Sequence, residues 1–196
     1  MSVGKVNETS IQKAKASGQS FDEWVKGQGE TVYHGGKMGN KAFDISLVKS
    51  GEGSNTYGKG LYLADEENAI NYSKRVDGGS VTDFILPKKS NIFDLSKDLS
   101  SKSKDDVVEM LKKYGASKEE ISSGLKTSQT SVSLWNKVVK NNPNISENLA
   151  KEIKGSGFNG IKFPQWGFEN ESYTVVFDPS QLKTRSQLKA EWDKVK

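Results

Sequence analysis

At 196 residues, with 33% hydrophobic and 28% charged positions, the chain suits one globular domain with a polar surface and leaves two full domains cramped. It has no cysteine, which excludes thiol nucleophiles, thiolate metal sites and disulfides, and a single histidine, His34, which excludes a zinc site built from several imidazoles. The net charge of +4, made mostly by lysine, admits an acidic or phosphate-bearing partner, but no arginine cluster, RNA-stacking aromatic motif or finger spacing marks a dedicated nucleic-acid reader.

The first residues, MSVGKVNETS, lack a hydrophobic stretch behind a basic start, so no secretory signal is expected. No apolar run approaches the length of a membrane span. Both readings predict a cytoplasmic protein with no membrane partner; delivery into a host cell would leave no such mark. Residues 1–29 read as a helical lead: IQKAKAS, then SFDEWVKGQGE, where Ser20 caps and Glu23 closes a capping box. Phe21, Trp24 and Val25 form a short apolar stripe for packing.

TVYHGG reads as a strand running into a glycine turn. After the polar stretch SGEGSNTYGKG, Leu61, Tyr62 and Leu63 suit a strand, and Asp65 caps a helix carrying Ala69, Ile70 and Tyr72. TDFILP and NIFDL are two further strands. Residues 96–157 then turn helical. Val107, Val108, Leu111 and Tyr114 recur at helical spacing, as do Val132, Trp135, Val138 and Val139 in a segment expected to end at Asn-Pro. Leu149 and Ile153 mark a last short helix stopping at Gly155 or Gly157. FNGIKF and SYTVVFDP return to strand, the second ended by Pro179, and a tail helix from Ser186 packs Leu188 and Trp192. The class is α+β: one domain, 1–196, with the first and second halves of a sheet separated by a helical insertion.

Three segments carry candidate chemistry. In TVYHGG a histidine follows a strand, and glycines let a ligand approach the backbone; all imidazole chemistry must run through His34. In TYGKGLYLADEENAINY a glycine loop feeds a strand with Tyr62 and a helix with Tyr72. Two such tyrosines can sandwich a flat heteroaromatic ring, or be half-buried core residues. In FENESYTVVFDPSQLK acidic residues lead into an apolar strand.

Together these segments resemble the ADP-ribosyltransferase family, in its diphtheria-toxin and poly(ADP-ribose) polymerase branch with a His-Tyr-Glu triad. YGKGLYLADEENAINY resembles the polymerase pattern most closely, VYHGG the aromatic-His-Gly start, and GSGFNGIKF with SYTVVFDPSQLK the terminal strands of phage-encoded transferase domains. The likeness runs from Phe21 to Lys183. It implies a split mixed and antiparallel sheet, NAD as substrate, and no metal. By the same resemblance His34 would bind the nicotinamide ribose, Gly35 would hold the carboxamide through its backbone, and Gly60 would stand in the glycine-lysine-glycine part of the NAD site. Tyr62 and Tyr72 would stack on the nicotinamide, and a glutamate would stabilise the cationic transition state.

The sequence departs from the pattern twice. Gly36 stands where a serine or threonine usually follows, and Tyr173 stands where the glutamate is expected, five residues before Asp178. Glu171 lies two residues earlier, on the same face of an extended strand, and is the candidate catalytic carboxylate, with Glu169 second. A small bulge would restore its distance. The reading is a mono-ADP-ribosyltransferase that modifies a macromolecule, a protein before a nucleic acid, in the setting of a phage or bacterial effector, toxin or anti-defence factor. The alternatives are an NAD glycohydrolase, a non-catalytic binding protein on the transferase fold and, last, an RNA 2′-phosphotransferase, which lacks the expected arginines.

Overall fold

The computed structural model describes residues 8–37, 57–165 and 168–196. The stretch from Ser50 to Thr56, part of the expected glycine loop, lies outside the described residues. The chain divides into two compact units, one holding the described residues 8–37, 63–90 and 178–196, the other 57–62 and 91–177.

In the first unit, α1 (Glu8–Ala16) and α2 (Phe21–Gln28) lead into β1 (Gly29–Gly36). The start of α2 is set locally: the Glu23 amide donates to Ser20 Oγ at 3.3 Å, and the Ser20 amide donates to the Glu23 carboxylate at 2.8 Å. After β2 (Leu61–Leu63), Asp65 caps α3 (Glu66–Ser73) by accepting the Asn68 amide at 2.8 Å. Strand β3 (Ser80–Pro87) then pairs antiparallel with β1 along its whole length, His34 opposite Thr82. The chain returns at the end through β7 (Lys183–Thr184), which pairs with β3, and α9 (Arg185–Lys194). The sheet order is β1-β3-β7. Its core is Ile11, Trp24, Val25, Ile85, Leu188 and Trp192, with the two tryptophan rings 5.4 Å apart. The expected packing of Leu188 and Trp192 is therefore realised.

The second unit holds β4 (Ile92–Asp94), helices α4 (Leu95–Ser100), α5 (Lys104–Lys113), α6 (Lys118–Thr127), α7 (Ser131–Asn141) and α8 (Pro143–Gly155), then β5 (Gly160–Gln165) and β6 (Phe168–Val176). Its sheet order is β2-β6-β5-β4, with β4 and β5 parallel and β5 and β6 antiparallel. The helices bury Leu95, Leu111, Trp135 and Leu149 against Ile161, Phe163 and Val175 of the sheet.

Three expectations are corrected. The sheet halves are interleaved rather than first and second: β2 and β4 precede the helices but pair with β6 and β5, which follow them. The helix carrying Leu149 and Ile153 is not short but thirteen residues long, because Pro143 opens it at its first turn, where a missing N–H costs nothing. Strand β6 begins at Phe168 and ends at Val176, and Pro179 opens a 3-10 turn, Pro179–Gln181, after Asp178 accepts the Ser180 amide at 3.1 Å. Helix α6 lies within the stretch expected to be helical, although its buried positions are Ile121 and Gly124, and a glycine does not read as apolar spacing.

Candidate functional site

In the first unit the sequence candidates are His34, Gly35 and Tyr72. Side chains alternate along β1, so His34 shares a face with Val32 and Gly36, while Tyr33 and Gly35 take the other. The half-buried His34 ring lies over Gly36: a Cβ built there would meet Nε2 at 3.0 Å. The glycine that replaces the usual serine or threonine is thus the space the imidazole occupies.

Gly35 is set differently. A Cβ on it would sit 2.0 Å from the Ala69 carbonyl oxygen, so α3 rests on β1 at this residue, and Tyr72, half-buried, belongs to the same helix. Tyr33, opposite Asp83 in the ladder, has its phenol pushed up by burial, then by the nearby Glu66 and Asp83 carboxylates, against the pull of Arg185.

In the second unit Gly60 and Tyr62 lie at β2, next to β6. Gly60 is a packing requirement too, since a Cβ there would approach the Val176 carbonyl oxygen to 2.4 Å. The Tyr62 hydroxyl accepts the Tyr57 amide at 2.9 Å and donates to the Gly58 carbonyl at 2.9 Å. Its ring stands edge-on to Phe163, centroids 6.0 Å apart. Burial pushes the Tyr62 phenol well above the ordinary tyrosine range, against the hydrogen bond from Tyr57. Tyr62 is therefore a half-buried ring held at its hydroxyl.

Glu171 lies on β6 at a break in register. Pro164 pairs with Ser172, but Gln165 pairs with Phe168, so residues 169–171 form an insertion on β6 between two consecutive partners on β5. Glu171 is half-buried at the inner end of this insertion. The side chain of Glu169 lies outside the described set. Tyr173, at the position where the glutamate was expected, pairs with Phe163 across the ladder, their rings 5.9 Å apart, and packs against the core with Val175.

Sequence reasoning did not single out Tyr57 or Phe163, and read Trp135 only as part of the apolar spacing of a helix. Tyr57 is fully buried, stacked on Phe163 at 4.0 Å, and its hydroxyl accepts the Trp135 indole N–H at 2.9 Å. Burial pushes its phenol up to about 12, opposed by the hydrogen bond from Trp135. A large aromatic inside a glycine-rich string was the available signal.

Among the described residues, no helix is long and apolar enough to cross a membrane, and no group of three or more His, Cys, Asp or Glu side chains could hold a metal ion. The model of a protein family described as ADP-Ribosyltransferase in polyvalent proteins matches residues 25–190. No curated protein and no solved structure matches the chain significantly.

Proposed function

From the premise that the chain belongs to this ADP-ribosyltransferase family, we propose that it is a mono-ADP-ribosyltransferase of the His-Tyr-Glu branch that modifies a macromolecular target, a protein first. The observation that carries the reading is the matched span, residues 25–190, within which His34, Gly35, Gly60, Tyr62, Tyr72 and Glu171 all lie.

The nicotinamide of NAD is already a cationic leaving group, so no acid need protonate it. The bond from ribose C1′ to the nicotinamide nitrogen breaks with its electron pair going to the ring. A nucleophile of the acceptor forms the new bond to C1′ and passes its proton to the glutamate carboxylate, which returns it to water. The transition state resembles a sugar oxocarbenium ion, which a fixed carboxylate stabilises and a rigidly held ring orients. We assign the carboxylate to Glu171, the ribose contact to His34, the carboxamide contact to the Gly35 backbone with Gly60 beside the dinucleotide, and the stacking to Tyr62 and Tyr72. A Tyr62 ring tied at its hydroxyl supports a stacking role. The setting we propose is a phage- or bacterium-encoded effector.

A second reading is favoured by one observation. Tyr173 fills the position expected for the glutamate and packs against Phe163, which fits a protein that binds NAD or a partner without turnover. One experiment separates the two. The protein is incubated with labelled NAD and cell lysate, beside His34→Ala, Tyr62→Ala, Glu169→Gln and Glu171→Gln. Labelled target and released nicotinamide are expected, lost in Glu171→Gln and kept in Glu169→Gln. Neither product from the parent protein would sink the transferase reading. Intact mass spectrometry of the target, showing one added ADP-ribose unit, would settle the class and begin to locate the acceptor.

A further inference from the structure

We propose that Trp135, in the helical array, is a positioning residue for NAD, acting through Tyr57 on the ring of Tyr62. This rests on Tyr62 being the nicotinamide platform. The observations form a continuous chain within the second unit. Trp135 and Tyr57 are both fully buried, and the indole N–H donates to the Tyr57 hydroxyl at 2.9 Å. Tyr57 lies stacked on Phe163, with centroids 4.0 Å apart and planes 25° from parallel. The same Phe163 meets the edge of Tyr62 at 6.0 Å. From its backbone, Tyr57 donates to the Tyr62 hydroxyl, whose own proton goes to the Gly58 carbonyl, both at 2.9 Å.

Tyr57 is thus gripped at its phenol by α7, while its backbone grips the phenol of Tyr62. A hydroxyl has one proton to donate, and that of Tyr62 is committed to Gly58. What Tyr62 offers a ligand is its ring, and the orientation of that ring depends on where Tyr57 is held. Losing the Trp135 bond frees the Tyr57 phenol to slide on Phe163 and carries its backbone N–H off the Tyr62 hydroxyl. The helical array would then contribute to the NAD site without touching NAD.

The test compares Trp135→Phe, Tyr57→Phe and the double variant, each of which removes the same hydrogen bond while keeping an aromatic ring. Equilibrium dialysis with labelled NAD gives Kd, and nicotinamide release gives KM and kcat. All are measured at a temperature where circular dichroism shows every variant folded. The expected result is a rise in the Kd and KM for NAD of about three- to tenfold in each single variant, the scale of one hydrogen bond. The value of kcat stays within about twofold, and the double variant is no worse than the weaker single. A lowered melting temperature with parental Kd and KM overturns the proposal, since a purely structural bond would do that. Independent, multiplying losses in the double variant also overturn it. Tyr62→Ala separates this failure from failure of the underlying reading. If Tyr62→Ala binds NAD as the parent does, or if the parent binds none, the platform reading fails and the proposal with it. If Tyr62→Ala loses NAD while Trp135→Phe does not, only the positioning role falls.

Discussion

Gly35 and Ala69 are in backbone contact: a Cβ on Gly35 would lie 2.0 Å from the Ala69 carbonyl oxygen and 3.0 Å from the Ser73 amide nitrogen. Helix α3, which carries Tyr72, can approach β1 this closely only where the strand has no side chain. Gly35→Ala is therefore expected to destabilise the fold by about 1–3 kcal/mol or more, because backbone atoms cannot yield as a flexible side chain does. Thermal unfolding checks this, and a parental melting temperature would show that α3 does not bear on Gly35. Loss of NAD binding in this variant alone says nothing about the carboxamide.

Gly36 invites the opposite experiment, restoration of the hydroxyl usual in the family. A side chain at this position, where φ is +156°, would start 3.0 Å from His34 Nε2. Gly36→Ser is expected to push the imidazole aside and to lower kcat/KM for nicotinamide release severalfold. A gain in activity would mean that the His34 conformation described here is not the working one.

Alkaline pH should destabilise the second unit. Burial pushes the Tyr57 phenol up to about 12 in the folded chain, against an ordinary value of 10.0, and raises Tyr62 as well. Above pH 10 the unfolded chain releases these protons first, so stability present below that pH falls at about 1.4 kcal/mol per pH unit for each group until its folded pKa is passed. Urea unfolding across this range, with Tyr57→Phe as the comparison, tests the sign. The variant should lose stability less steeply as pH rises.

Phe163 is the shared contact of three tyrosines, at 4.0 Å from Tyr57, 6.0 Å from Tyr62 and 5.9 Å from Tyr173. Phe163→Ala should cost about 3–5 kcal/mol, as large-to-small changes in a packed core do. Phe163→Leu should cost clearly less. Equal losses in both variants would mean that the site depends on ring stacking rather than on filled volume.

The local part of this fold was legible because its causes are local. Ser20 with Glu23, and Asp65 before α3, satisfy helix-terminal amides within a few residues, and the apolar spacing from Val107 to Leu111 marks the face that is buried. Where a local signal had two meanings, the reading slipped. Asn142-Pro143 reads equally as the stop of one helix and the start of the next, and it is both.

For the candidate site, the sequence alone determined the cast. It left His34 as the only imidazole, set Tyr62 in its glycine-lysine-glycine string, and marked Tyr173 in place of a glutamate five residues before Asp178. Only the tertiary structure decided how these residues are held. Strand pairing joins positions far apart in the chain, and no local pattern records which strands meet. Hence the pairing of β2 with β6, the insertion at 169–171 that holds Glu171, and the Tyr57–Trp135 bond across 78 residues became visible only in the folded chain.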